Sequence, residues 1–138
     1  MDLIFLYIVG RGVFTTSPFS KGDFLLQYKG DFISGKEGKE REDKYPKEAG
    51  NFLYFFSDNG KACCIDATYS TGLGRLVNDS PRTRANATMK KIIIDSQSYL
   101  CLFATCNIPN NRELRYDYGA SDLHWRTKGI KELDSVVL

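Results

Sequence analysis

The chain has 138 residues, 42% of them hydrophobic, which is enough for one domain with a single core and leaves no room for a second domain. Its 19 basic and 17 acidic residues give a net charge of +2. This balance is too even to indicate a dedicated nucleic-acid-binding protein, so an acidic partner would have to meet a local basic patch.

An apolar run occupies residues 3–9, close to the start of the chain. Asp2 precedes it instead of a basic segment, no small-residue cleavage site accompanies it, and it is too short to cross a bilayer. We interpret the run as a buried strand or an irregular start of the chain. No membrane partner is expected, and the protein is predicted to be intracellular and soluble.

Short runs rich in aromatic and β-branched residues predict strands along most of the chain. They are bounded by Gly, Asn, Asp, Ser or Pro, and the sequence DSQS between the last two predicts a hairpin turn. The runs are residues 24–28, 52–56, 62–65, 91–95 and 99–105.

One segment, residues 35–48, has a helical character and is charged nearly all round. We expect a short solvated helix on the surface, limited by its two glycines and by Pro46, whose charges need no functional role. The predicted fold class is therefore mainly β with one or two short helices.

The four cysteines are Cys63, Cys64, Cys101 and Cys106, and they lie in apolar runs without CxxC or CxC spacing. This pattern favours reduced thiols in the core of an intracellular protein over a zinc site or a disulfide framework. No metal site is predicted.

Two glycine-containing motifs lie in the first third of the chain. VGRGVF places Gly10 and Gly12 on either side of Arg11, where a nucleotide-like cofactor could approach the backbone closely. YKGD places Tyr28 at a strand end before a glycine turn. Taken alone, the first motif is better explained by a tight turn between strands, and the second by a half-buried aromatic residue whose hydroxyl finds a partner.

Two further motifs follow in the second half of the chain. NDSP at residues 78–81 is, by itself, an Asx-type turn before a proline. RYDYG at residues 115–119 is, by itself, an edge strand with Tyr116 and Tyr118 on one face and Asp117 on the other. Taken alone, each motif is explained by a structural role and indicates no particular function.

Together, the order and spacing of the four motifs resemble the SET domain of protein lysine methyltransferases. The resemblance runs from about residue 10 to residue 119, which would be the domain core, followed by a short tail at residues 120–138 without a zinc-binding segment. It is greatest for the subgroup that monomethylates a lysine of the histone H4 tail, through the stretches at residues 19–33 and 66–76.

The resemblance implies a fold of small curved sheets, in which the C-terminal strand wraps the segment of Asn78 and cofactor and peptide enter from opposite faces. It also implies S-adenosylmethionine-dependent methyl transfer to a lysine ε-amine, most closely monomethylation of an H4-type histone tail, in the nucleus and by a monomer. The residue types suit that reaction, because methyl transfer needs an aligned neutral amine and the exclusion of water. A lysine of pKa about 10.4 is mostly protonated at neutral pH, so a desolvating aromatic channel must favour the free amine.

Roles for individual residues follow from the same likeness. Tyr118 would be the principal catalytic tyrosine, Tyr28 would line the lysine channel, and Tyr116 would limit the number of methyl groups, its identity as tyrosine indicating monomethylation. The expected cofactor contacts are Gly10, Arg11 and Gly12 beneath the methionine and ribose, the side chain of Asn78 at the amino-acid end, the backbone of Asp79 at the adenine edge, Phe52 near the cofactor and Trp125 over the adenine ring. For Trp125, simple capping of the core by the tail is an equally good interpretation.

Two positions depart from the pattern of the resembled family. Asp79 stands where relatives usually carry histidine, and a buried carboxylate without a partner is costly. Phe52 stands where close relatives tend to carry a tyrosine. The alternative function is therefore a SET-fold pseudoenzyme that binds a peptide or chromatin, although the retained tyrosines and Asn78 favour the enzyme.

A basic cluster falls within residues 81–91. It could steer the domain towards DNA phosphates or the acidic surface of a nucleosome, but an ordinary solvated loop explains it slightly better. Its members are Arg82, Arg84, Lys90 and Lys91.

Overall fold

The computed structural model describes residues 6–9, 12–46, 52–118 and 133–138. Within these ranges the chain forms eleven strands, one α-helix and two 3-10 turns, Gly74–Leu76 and Arg82–Arg84. The strands and the helix are β1 Leu6–Val9, β2 Gly12–Thr15, β3 Phe24–Gln27, β4 Asp31–Ser34, α1 Gly35–Lys44, β5 Leu53–Asp58, β6 Lys61–Asp66, β7 Asn78–Asp79, β8 Ala87–Ile94, β9 Gln97–Ala104, β10 Arg115–Tyr116 and β11 Ser135–Val137. The predicted fold class is confirmed, and each of the five predicted strands is present.

The strands form three small sheets in the described part of the chain. β1 pairs with β2, β4 and β5 flank β6, and the largest sheet has the order β3-β9-β8-β10-β7 with β11 also on β8. The predicted hairpin turn joins β8 to β9 at Asp95 and Ser96, which have φ values of 51° and 67°. Two successive residues with positive φ match the right-handed twist of the strands, and Asp tolerates this conformation well.

The pairing of β10 connects two distant parts of the sequence. Arg115 and Tyr116 lie in parallel register with Asn78 and Asp79 of β7, and Tyr116 also pairs with Ala87 of β8. β10 thus lies between β7 and β8. This is the wrapping of the Asn78 segment that the resemblance implied.

One hydrophobic core receives side chains from all three sheets. Val13 of β2, Phe56 of β5 and Leu102 of β9 are each fully buried in it. In the described parts of the chain, no helix combines the length and the apolar character that crossing a membrane requires.

All four cysteines are free thiols, and three of them are buried. Burial raises the pKa of Cys64 to about 12 and that of Cys101 to about 11, so both stay protonated. The prediction of core thiols is confirmed for Cys63, Cys64 and Cys101. It is wrong for Cys106, which follows β9 and is exposed.

Helix α1 begins after an N-cap and ends before the proline. The Ser34 hydroxyl accepts a hydrogen bond from the Glu37 backbone N–H at 3.1 Å, and the helix stops at Lys44. The expectation that both glycines limit the helix is wrong for Gly38, which lies inside the helix and is buried, whereas the helix begins at Gly35. A Cβ on Gly38 would come within 2.8 Å of both the Cys64 Cβ and the Phe55 ring, so the missing side chain lets α1 pack closely on the sheet.

We expect Gly38→Ala to destabilise the protein, although alanine is the better helix former by about 1 kcal/mol. The added methyl group would overlap Cys64 and Phe55, and overpacking of this kind costs about 1–3 kcal/mol. Urea unfolding of Gly38→Ala should give a lower free energy of unfolding than wild type. Lys36→Ala, on the exposed side of the same helix, should change it by less than about 0.5 kcal/mol; a stabilising Gly38→Ala would contradict the packing argument.

The four residues of the basic cluster do not share one surface of the protein. Its second half belongs to strand β8, where Lys91 is buried and its Nζ contacts Asp58 Oδ1 at 3.1 Å and the Ser57 carbonyl at 3.2 Å. Lys90 points to the other face, over the Phe103 ring. The interpretation as a loop is therefore wrong for both lysines, and it holds for the exposed turn Arg82–Arg84.

Candidate active site

A row of four tyrosines crosses the interior where the sheets meet. Tyr28 follows β3, Tyr54 lies on β5, Tyr116 lies on β10 and Tyr118 comes two residues later. Their ring centroids are 5.7 Å apart for Tyr28 and Tyr54, 6.5 Å for Tyr54 and Tyr116, and 4.6 Å for Tyr116 and Tyr118. The three tyrosines predicted from the sequence are thus brought together, and Tyr54 joins them.

Tyr54 is a site residue that sequence reasoning missed. It lies inside the predicted strand FLYFF, where a two-residue alternation places Tyr54 and Phe56 on the buried face. A tyrosine at a buried position of a strand was the available signal, because its hydroxyl must find either a partner or a functional role.

The phenol groups of this row are neutral at physiological pH. Burial raises the pKa values of Tyr28, Tyr54 and Tyr116 well above that of an ordinary tyrosine. Burial, followed by the charge of Asp79, raises the pKa of Tyr118 to about 12. The row can therefore offer apolar ring faces and phenolic oxygens that accept or donate hydrogen bonds, but no phenolate base.

The hydroxyls at the two ends of the row donate to backbone carbonyls. Tyr28 donates to the carbonyl of Phe52 at 3.1 Å, and Tyr118 donates to the carbonyl of Val77. Each ring is thus held by a hydrogen bond as well as by packing. Val77 precedes Asn78 directly, so the second bond joins Tyr118 to the segment that carries the predicted cofactor residues.

Phe52 is fixed by contacts on two sides. Its carbonyl accepts hydrogen bonds from Tyr28 and from the Ala67 backbone N–H at 2.8 Å. The Arg75 guanidinium lies over its ring, 4.9 Å from the centroid. Gly74 packs against the Tyr28 backbone, where a Cβ would be 2.8 Å from the Tyr28 Cα. Phe52 therefore positions Tyr28 through its backbone, a role that needs no side-chain hydroxyl.

Asp79 has a hydrogen-bond partner. Its Oδ1 accepts from the backbone N–H of Tyr118 at 2.8 Å, and the neighbouring Ser80 N–H donates to the Tyr116 carbonyl at 3.1 Å. The unpaired buried carboxylate considered from the sequence is not what the structure contains. Asp79 instead ties β7, a strand where the motif alone predicted a turn, to the residue predicted to be catalytic.

A second group of residues surrounds Asn78. Its Nδ2 donates to Glu113 Oε2 at 2.6 Å, and a Cβ on Gly12 would come within 2.6 Å of the same oxygen. Arg115 holds the other carboxylate oxygen, Oε1, through Nε at 3.0 Å and Nη2 at 2.9 Å. Gly12 and Asn78, both predicted cofactor residues, therefore meet at Glu113, which sequence reasoning did not select although it opens the quoted stretch ELRYDYG. Gly10, Arg11 and Trp125 lie outside the described residues.

A buried carboxylate lies beside the turn that follows Tyr28. The Asp66 backbone packs against Gly30, and its carboxylate accepts hydrogen bonds from the Arg41 guanidinium, the Tyr45 hydroxyl, and the hydroxyl and N–H of Thr68. Burial by itself raises the pKa of Asp66, but these hydrogen bonds outweigh it and hold the pKa below its ordinary value. One of the charges on α1, that of Arg41, thus has a structural role, because it pairs with the buried Asp66 carboxylate.

The three small sheets, the position of β10 between β7 and β8, and the tyrosine row are the features expected of a SET domain. Residues 10–119 match the SET domain family, and the chain belongs to it. Among curated proteins it is 42% identical over 113 residues to histone-lysine N-methyltransferase Set8 of Drosophila melanogaster, covering 80% of this chain and 16% of that protein. It is 42% identical over 115 residues to histone-lysine N-methyltransferase set-1 of Caenorhabditis elegans, covering 81% and 47%.

Solved structures agree with this assignment. CpSET8 from Cryptosporidium superposes with a TM-score of 0.72 at 38% identity, covering 78% of this chain and 52% of that one. The Neurospora SET domain protein DIM-5, a histone lysine methyltransferase, gives a TM-score of 0.69 at 26% identity, covering 78% and 47%. The chain spans less than half the length of the two curated relatives, Set8 of Drosophila melanogaster and set-1 of Caenorhabditis elegans. The predicted family is confirmed.

Proposed function

We propose that this chain is an S-adenosylmethionine-dependent protein-lysine N-methyltransferase that adds one methyl group to a lysine of an H4-type histone tail in the nucleus. The observation that carries the proposal is the row of neutral tyrosines, with neighbouring centroids 4.6 to 6.5 Å apart, in a chain of the SET domain family. The names of the relatives, both histone-lysine N-methyltransferases, support the substrate class.

The residues around Asn78 fit the proposed cofactor. Gly12 lets the Glu113 carboxylate approach its backbone, where a Cβ would lie 2.6 Å from Oε2, and so brings the predicted cofactor residues Gly12 and Asn78 together. When bound, S-adenosylmethionine supplies an activated methyl group on a sulfonium sulfur. In the proposal the Asn78 side chain holds its amino-acid end, the Asp79 backbone meets the adenine edge and Phe52 lies nearby. Gly10, Arg11 and Trp125 complete the predicted set.

The tyrosine row would prepare the lysine for transfer. The buried rings of Tyr28, Tyr54 and Tyr116 exclude water, and desolvation lowers the pKa of an entering lysine amine and favours its neutral form. The Tyr118 oxygen can accept a hydrogen bond from that amine and so orient its lone pair. Because its pKa is about 12, Tyr118 stays protonated at neutral pH and does not remove the proton itself.

A thermal-shift titration followed by a methyl-transfer assay tests this function. We expect S-adenosylmethionine and S-adenosylhomocysteine to raise the melting temperature by mass action, and mass spectrometry to show one added methyl group on an H4 tail peptide. The control peptide has arginine in place of the target lysine. Failure of both ligands to stabilise the protein at millimolar concentration would refute the enzyme, whereas binding without transfer would support the adaptor alternative.

Tyr116→Phe should shift the product from monomethyl-lysine towards dimethyl-lysine. Tyr116 is 3% exposed and packs between Tyr54 and Tyr118, so loss of its hydroxyl creates room inside a closed row. The measurement is the ratio of monomethylated to dimethylated peptide after complete turnover. An unchanged ratio would mean that Tyr116 does not limit the number of methyl groups.

Asp79→Ala should lower kcat about tenfold, because the Tyr118 N–H loses its acceptor and the ring shifts away from its productive position. Asp79→Asn keeps an oxygen that can accept the same bond, and its kcat should remain within about threefold of wild type. Steady-state kinetics on the H4 peptide compare the two variants. Equal losses of kcat in the two variants would show that catalysis depends on the charge of Asp79 rather than on its hydrogen bond.

We also include a weak contact with nucleosomal DNA in the proposal, limited to the exposed turn Arg82–Arg84. Lys91 is excluded from it because its side chain is buried beside Asp58, and Lys90 lies on the other face of β8, over the Phe103 ring.

A further inference from the structure

The Glu113 carboxylate occupies a position between the Gly12 backbone and the Asn78 amide. Oε2 lies 2.6 Å from Asn78 Nδ2, and it would lie 2.6 Å from a Cβ on Gly12. We propose that Glu113 is a positioning residue that orients the Asn78 amide to receive the α-ammonium group of the cofactor. This inference rests on the proposed function.

The orientation of the Asn78 amide follows from the chemistry of its neighbour. An asparagine side chain can present either its oxygen or its nitrogen to a contact, and the choice is set by hydrogen bonding. A carboxylate paired with arginine only accepts hydrogen bonds, so the NH₂ group of Asn78 must face Glu113. Its Oδ1, an acceptor, is therefore directed away from Glu113.

The outward oxygen of Asn78 selects the chemistry of what binds there. Among the described residues, none donates a hydrogen bond to Asn78 Oδ1. An unused acceptor beside a carboxylate favours a cationic N–H donor and disfavours a carboxylate. The ammonium group at the amino-acid end of the cofactor is such a donor, and its carboxylate group is not.

Glu113 is itself held rigidly in this position. Arg115 donates to Oε1 through two nitrogens, which leaves Oε2 for Asn78. The parallel register of Arg115 with Asn78 fixes the separation of the two strands at this point. The glutamate side chain is 19% exposed, so water competes little for its oxygens. The orientation of the amide is thus built into the fold before any ligand binds.

The test compares ligands that differ only at the amino-acid end. Isothermal titration calorimetry measures the affinity of wild type, Glu113→Ala and Glu113→Gln for S-adenosylhomocysteine, for its decarboxylated analogue, which keeps the amine, and for 5′-methylthioadenosine, which lacks both groups. Glu113→Ala should lower the affinity for the first two ligands at least about tenfold and for the third by less than about twofold. The affinities of Glu113→Gln should lie between those of wild type and Glu113→Ala, since the glutamine oxygen can still accept from Asn78 but carries no charge.

Two variants control for folding and for general electrostatics. Arg115→Ala removes the two donors that hold Glu113 Oε1, so it should weaken binding of the same two ligands and spare 5′-methylthioadenosine, and it keeps the inference testable if Glu113→Ala does not fold. Glu40→Ala removes an exposed carboxylate from α1 and should leave all three affinities unchanged.

Three outcomes overturn the inference. An equal loss of affinity for all three ligands in Glu113→Ala would mean that Glu113 only stabilises the fold. If Glu113→Ala lost affinity for S-adenosylhomocysteine but not for the decarboxylated analogue, the site would recognise the carboxylate end. Wild type that binds none of the ligands would refute the proposed function and this inference together, whereas the first two outcomes leave the proposed function intact.

Discussion

Tyr118→Phe is expected to reduce kcat for methyl transfer at least about 100-fold, in the range typical for loss of a positioned polar group at a reacting atom. The phenolic hydroxyl belongs to the half-buried residue at one end of the tyrosine row and is held by the Val77 carbonyl. In the proposed function it is the group that contacts the entering amine. Loss of one hydrogen bond should lower the free energy of unfolding by only about 1 kcal/mol, so the fold is retained.

Steady-state kinetics and urea unfolding of the same preparation separate these two effects. Tyr99→Phe is the matched control, since Tyr99 lies on β9 and its hydroxyl contacts Gln97, outside the row; its kcat should equal that of wild type. Full methyl transfer by Tyr118→Phe would refute the catalytic assignment.

The pH dependence gives a further check on Tyr118. Because its pKa is about 12, its protonation does not change across the working range. The rate should therefore rise with pH as the substrate lysine loses its proton, and Tyr118 should add no break between about pH 6 and 9. A break that disappears in Tyr118→Phe would show that the phenol titrates during catalysis.

Asp66→Asn is expected to have the largest effect on stability, lowering the free energy of unfolding by about 3 kcal/mol. The Asp66 side chain is 2% exposed and accepts from Arg41, Tyr45 and Thr68, so its loss leaves several donors poorly matched at once. Asp31→Asn is the matched control, because Asp31 contacts the same Arg41 Nη1 but its side chain is 72% exposed. We expect that variant to lie within about 0.5 kcal/mol of wild type.

The same carboxylate predicts a direction for acid unfolding. Its pKa is lowered in the folded state, so the unfolded chain binds the proton more readily. The stabilisation by Asp66 is therefore fully present above its unfolded pKa of about 3.9 and is lost as the pH falls through the lower folded value. Urea unfolding at a series of pH values should show the difference between wild type and Asp66→Asn shrinking towards low pH; a difference independent of pH would contradict it.

The sequence by itself determined the five strands that lie in aromatic and β-branched runs, the hairpin turn and the family. Aromatic and β-branched runs favour extended backbone wherever they occur, and Asp95 and Ser96 favour the turn conformation they adopt. These are local preferences, so they can be read without knowing the fold. The ordered motifs around Gly12, Tyr28, Asn78 and Tyr118 identified the SET domain because agreement of all four by chance is improbable.

Tertiary structure alone decided which residues complete the site and which charges are available. Glu113 meets Asn78 only because β10 pairs with β7, which are 35 residues apart along the chain at this contact. Asp79 gains its partner from Tyr118 through the same pairing, and Lys91 loses its exposure because β8 places it beside Asp58. Such contacts join segments that are distant in sequence, and no local pattern of residue types specifies them.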